Sequence, residues 1–196
     1  MTDLILSNRD FLLSEVSLTE QAPNLYTESS NFTANARSRG LHRMGFKLSV
    51  YLETHDDVRR FRAFWLKARG RLNPLTLDLM PVEGADWYNP IYYATRNVIL
   101  ANPLSIGENT MVLSGISAPI PAGTLFQFGN DSKLYTLLND AKANQSVEFF
   151  PGTRFAQQAG STITTDCKPV VRLEDDKYEL ELTKGSVVKL SMQENI

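Results

Sequence analysis

Cysteine and histidine are nearly missing from this chain: its 196 residues hold one cysteine, Cys167, and two histidines, His42 and His55. A single thiol closes no intramolecular disulfide, and Cys167 sits between Asp166 and Lys168 with no neighbouring His or second Cys to share a metal. It reads as an incidental thiol of a protein made in a reducing compartment, which does not fix where the product finally works. Neither histidine has a partner at ligand or triad spacing, so no Ser-His-Asp or Cys-His arrangement emerges. Gly107, Gly115, Gly123 and Gly129 are spaced for turns, and neither GxGxxG nor GxxxxGK[ST] is present to cradle a phosphate. No segment singles out a pair of catalytic carboxylates. Glu174-Asp175-Asp176 offers oxygens to a hard cation but reads more simply as a hydrated turn. The expectation is a non-enzyme with no cofactor and no bound metal.

Long apolar runs are also lacking. A membrane span needs about 18 or more consecutive apolar residues, whereas stretches such as 97–101 are only strand-length, and no span is expected. The first ten residues carry no basic leader, no long apolar run and no small-residue cleavage site, so export is not expected either. Hydrophobic residues at 42% and charged residues at 21% exclude a disordered chain, and the length admits one large core or two modest ones.

The net charge is only −2, but residues 37–71 hold ten Lys/Arg against three Asp/Glu, with acidic flanks on both sides. Such a patch suits phosphates, the acidic surface of a neighbouring protein, or a solvated helix face. The overall acidity speaks against a dedicated DNA binder.

What is plentiful is turn residues and aromatics: 11 Gly and 9 Pro beside 10 Phe, 7 Tyr and 2 Trp, which suits short strands joined by tight turns. The opening 36 residues are polar and mixed, and predict one or two short strands and a long loop. Phe46, Leu48, Val50 and Leu52 then alternate with Lys47, Ser49, Tyr51 and Glu53, the pattern of a strand with one buried face. Thr54 is placed to cap a helix whose first turn holds Asp56 and Asp57. Val58, Phe61, Phe64, Trp65 and Ala68 supply its apolar stripe, Gly70 a stop, and the spacing predicts a helix over 58–69. Leu75, Leu77 and Leu79 alternate as another strand. Residues 82–93 form an aromatic, turn-rich segment whose Trp87, Tyr88, Tyr92 and Tyr93 could stack on a sugar or base, or wedge two domains together.

Short apolar runs at 98–101, 110–113, 124–128, 134–138 and 147–150, with an edge at 161–165, predict a small barrel of five or six strands. Residues 168–173 follow, and the alternation at 177–182 and the run 187–192 predict a hairpin turning at Lys184-Gly185-Ser186. That hairpin needs a sheet to join, and the strand at 46–52 offers one, which would make the barrel an insertion.

The order of elements, with Val58-Arg-Arg-Phe-Arg-Ala-Phe-Trp-Leu66, Leu75-Thr-Leu-Asp-Leu79, Pro121-Ala-Gly-Thr-Leu-Phe-Gln-Phe128, Lys133-Leu-Tyr-Thr136 and Val147-Glu-Phe-Phe-Pro151, resembles the distal tail proteins of siphophages, in particular their compact T-five-like version. The resemblance implies a mainly β protein with minor α content. A discontinuous ring-forming domain would span 1–93 together with 172–196, and an OB-like barrel would be inserted at 94–171. It also implies a structural virion protein at the tail tip, made in the host cytoplasm. Six copies would form an annulus between the tail tube protein and the hub and fibre proteins, with DNA and tape-measure protein passing through in transit. Arg59, Arg62, Lys67 and Arg69 are then the candidate contacts between subunits. The alternative is a carbohydrate-binding module contacting the host surface through Trp87 and Tyr88.

Overall fold

The computed structural model describes residues 4–79, 98–183 and 185–196. In chain order its elements are β1 (Ile5–Ser7), β2 (Leu12–Gln21), β3 (Asn24–Glu28), β4 (Ala34–Ser38), β5 (Arg43–Leu52), α1 (His55–Ala68) and β6 (Leu75–Asp78). Then come β7 (Ile99–Leu100), β8 (Thr110–Ser114), β9 (Leu125–Phe128), β10 (Tyr135–Leu137), β11 (Ser146–Phe150) and β12 (Ile163–Thr164), and last β13 (Val170–Leu173) and β14 (Ser186–Glu194). The architecture is mainly β, with one helix among the described residues.

The clearest alternation builds the middle of a six-stranded sheet ordered β1-β6-β13-β14-β5-β2. In β5, Met44, Phe46, Leu48, Val50 and Leu52 are buried while Arg43 and Lys47 face solvent, as a two-residue period requires. Ser49 departs from the pattern: a bulge in β2 between Ser14 and Ser17 puts Glu15 at a left-handed φ of 49°, and its carboxylate accepts the Ser49 hydroxyl at 2.6 Å. β14 runs antiparallel to β5 from Ser186↔Leu52 to Gln193↔Gly45. α1 turns Val58, Phe61, Phe64, Trp65 and Ala68 into the same core, where Phe11 meets Phe61 edge-on at 5.7 Å and Tyr178 covers Trp65 at 4.3 Å.

The second sheet is ordered β12-β9-β10-β11-β8-β7, and an Ile99↔Thr162 bridge joins its two edges into a nearly closed barrel. Its interior is aromatic: Phe126, Phe128, Tyr135 and Phe149 lie with ring centroids 5.0–6.1 Å apart. The first sheet thus takes its strands from residues 5–78 and 170–194, and the second from 99–164. β13 begins at Val170, two residues before the boundary expected at 172. Leu125 and Leu134, from the barrel segment, belong to the core of the first sheet, so the two bodies share apolar contacts.

Two expectations need correction. Residues 177–182 form no strand: the partner of β14 opposite β5 is β13, with Leu173↔Met192 and Val171↔Glu194 in register. Both edges of β14 are occupied, so the alternating segment finds no ladder to join and instead lays Tyr178 and Leu180 against the helix-side core. The opening segment is not a long loop either. It continues from β2 into the hairpin β3–β4, paired from Asn24↔Ser38 to Glu28↔Ala34.

Candidate functional site

The helix is fixed by local chemistry at both ends. The Thr54 hydroxyl accepts the Asp57 N–H at 3.2 Å while the Thr54 N–H donates to Asp57 Oδ2 at 3.0 Å, a reciprocal capping box. The stop falls on Arg69, at a φ of 53°, one residue before the glycine expected there. Gly70 is left-handed as well, and a Cβ on it would lie 2.8 Å from the Asp176 Cα, so this corner demands glycine twice over. With the apolar stripe buried, Arg59, Arg62, Leu66, Lys67 and Arg69 are left on the solvent side. Arg59 is drawn back to Asp56 on its own helix, whereas Arg62, Lys67 and Arg69 have no carboxylate partner among the described residues. The outer face is therefore a basic strip around the exposed Leu66. Trp87 and Tyr88, the candidate sugar contacts, lie outside the described residues.

The larger surface feature is the arm that β2 and β5 extend into. Every residue from 17 to 41 is exposed, and β3–β4 forms a two-stranded sheet of its own. Leu25, Tyr26, Phe32 and Leu41 are all open to solvent, Phe32 at 86%. The arm's loop is nevertheless built in detail: Ser29 N–H donates to Thr33 O at 3.0 Å, Phe32 N–H to Ser29 O at 2.9 Å, and the Ser29 hydroxyl engages Asn31.

At its root the environment inverts within one residue, from exposed Leu41 to buried His42. Here the two sheets meet over a polar cluster. Glu194, 1% exposed, accepts the Met44 N–H at 3.1 Å, the Leu134 N–H at 2.7 Å and the Lys133 ammonium. Lys133 also donates to His42 Nδ1 at 3.3 Å, which places the neutral imidazole's proton on Nε2, a buried atom without a partner among the described residues. The edge of the His42 ring packs on Phe150, centroids 5.0 Å apart. Burial, reinforced by the Lys133 charge and opposed by Glu194, holds the His42 pKa below its usual value. Burial likewise lowers that of Lys133, against the pull of Glu194. Beside this cluster Asp131 accepts the Tyr135 hydroxyl at 2.7 Å and the Lys133 N–H at 3.0 Å, and Arg154 Nη2 stands 3.5 Å from it. Burial and the Asp131 bond push the Tyr135 phenol well above its ordinary range.

The sequence pattern singles out neither Glu194 nor Lys133. A usable signal exists for the first: in β14 the inward positions 188, 190 and 192 are apolar, and continuing the two-residue step lands on a carboxylate. Nothing in the pattern marks Lys133, whose burial depends on the barrel's approach to β14.

Cys167 is buried, and burial pushes its thiol pKa far up, which leaves it unreactive. Among the described residues no three His, Cys, Asp or Glu side chains gather closely enough to hold a metal, and no helix is long and apolar enough to cross a membrane. No protein-family model matches the chain, and no curated protein matches it either.

Proposed function

We propose that this chain is a structural virion protein, a distal tail adaptor whose copies associate into a ring between tail tube and tail tip, with DNA crossing its channel. The observation that carries this reading is the exposed arm at 17–41. Ordering a residue's backbone costs roughly 1–2 kcal/mol, and an isolated two-stranded hairpin recovers too little of that in water. An arm with defined pairing and open apolar side chains is matched to a surface on another molecule. Repeated heterologous contact of this kind between copies generates a ring when the rotation closes. The basic strip on α1, set in an acidic chain, supports directional docking of one copy against the next. The copy number six and the partners (tail tube, hub and fibre proteins) come from the family resemblance, and the reading assigns the chain no catalysis.

Immunogold labelling of intact phage particles tests it. Label confined to the tail tip is the expected result, and absence of the protein from purified particles overturns it. In a mixture with tail-tip components, negative-stain images are expected to show annuli with the native chain and none with Tyr26→Ser/Phe32→Ser.

A further inference from the structure

The solvent side of the large sheet holds a hollow of about 410 Å³ whose lining includes Arg43, Arg71 and Arg172, together with Glu174, Gln193 and Asn195. Register explains why three guanidinium groups meet there. Arg43 opens β5 on its outward face, Arg172 points the same way from β13 opposite Gln193, and Arg71 follows the helix stop at the end of the same sheet. A second hollow of about 160 Å³ shares Glu174 and Gln193, adds Lys47, and is lined by Gly45. A glycine in the middle of a strand withholds a side chain from the face and lets a group approach the backbone.

The three guanidinium groups stand with Glu174 in the lining and Asp175 and Asp176 beside Arg71, but the close hydrogen bonds of Arg43 and Arg172 go to neutral acceptors. Arg43 Nη1 donates to Gln193 Oε1 at 3.0 Å, a neutral acceptor, and forms no ion pair among the described residues. Arg172 is held rigid by neutral acceptors too: its Nε donates to Asn195 Oδ1 at 2.7 Å and its Nη1 to the carbonyls of Arg71 and Leu72. Among the described residues, that leaves both Nη2 donors of Arg172 for another acceptor. Arg71 keeps Asp175 and Asp176 at 3.9 Å, outside hydrogen-bond reach, and Asp176 Oδ1 is occupied by the Arg71 N–H at 2.8 Å. Of the two carboxylates in the lining, Glu194 is neutralised by Lys133, while Glu174 accepts the Gln193 amide and keeps its charge.

We propose that this hollow is an oxyanion site, taking a carboxylate or phosphoryl group on the free guanidinium N–H groups of Arg43, Arg71 and Arg172. Guanidinium groups bind such anions through charge-assisted N–H···O bonds, and Arg172, whose Nε and Nη1 are already held by the fold, presents Nη2 with little freedom left to lose on binding. The site adjoins the root of the arm, where Gln21 pairs with Arg43, but none of its three arginines belongs to the arm, so it does not depend on the ring reading.

Calorimetric titration of the full chain with inorganic phosphate, and separately with succinate, tests the proposal. One saturable site per chain is expected. Arg43→Gln should weaken it about ten-fold, the loss of one charge-assisted bond pair, while Lys142→Gln, an exposed cation on the barrel, should leave it unchanged. Circular dichroism and the urea midpoint check that Arg43→Gln remains folded. No saturable binding of either anion, or equal weakening by Lys142→Gln, overturns the proposal. A second arm separates the two sources of the group. If phosphate disperses assembled copies, the occupant is an acidic side chain of a neighbouring copy; if it binds with the oligomeric state unchanged, the occupant is a free anion.

Discussion

The arm and the junction it grows from are built of the same strands and are opposites in every other respect. β2 and β5 are each ten residues long and paired over most of their length, yet β5 buries Met44, Phe46, Leu48, Val50 and Leu52 while β2 beyond Ser14 only half-buries Val16. Pairing satisfies backbone hydrogen bonds in both places, but only burial of a face adds the apolar contribution of about 25 cal/mol per Å² that makes a ladder stable by itself. The junction goes further and commits a carboxylate, an ammonium and an imidazole to the interior. The arm keeps even Phe32 in water. Such a division puts cohesion at one end of the ladder and leaves the other end open to solvent.

Glu194→Ala should break this contrast most severely. It leaves the Lys133 charge buried and strips acceptors from the Met44 and Leu134 N–H groups, a loss of about 3–5 kcal/mol in urea unfolding. Lys133→Met should cost less, because Glu194 keeps both backbone donors. Glu15→Ala probes the place where burial begins to fail along β2: with the Ser49 hydroxyl left unpaired, a loss of about 1–2 kcal/mol is expected by the same measurement.

The junction should also sense pH. Because the folded-state pKa of His42 lies below its unfolded value of 6.5, the unfolded chain takes up the proton first as pH falls. The contribution is complete above 6.5 and is lost as pH drops below that value, levelling off once the folded state protonates as well. His42→Gln should remove this part of the slope, seen as a flatter urea midpoint between pH 7.5 and 5.5. The arm should respond least. Leu25→Ser/Phe32→Ser is expected to move the stability of the isolated chain by no more than about 0.5 kcal/mol, since neither side chain is buried. Hydrogen exchange should show arm amides exchanging far faster than those of the β5–β14 ladder.

Where one face is apolar and the other polar, the order of residues is enough to read the element. The strand at 46–52, the helix with its Thr54 cap and the run of barrel strands are legible for that reason. The arm is not, because a hairpin with neither face buried carries no hydrophobic period, and Ser29-Ser30-Asn31 looks the same in a loop. Residues 177–182 mislead in the other direction: Tyr178 and Leu180 alternate correctly for a strand but serve as a cover over Trp65 and its neighbours. The basic strip on α1 was readable from spacing alone, though not the tethering of Arg59 to Asp56.

By itself the sequence determined a β-rich chain with a capped amphipathic helix and a run of short barrel strands, because those features arise from contacts within a few residues and from alternation along one segment. Only the tertiary structure decided that β13 would take the edge of β14, that Lys133 and Glu194 would be buried together, and that three arginines would share a hollow. Those residues lie tens to more than a hundred positions apart, and their charges acquire meaning only through the neighbours that folding places beside them.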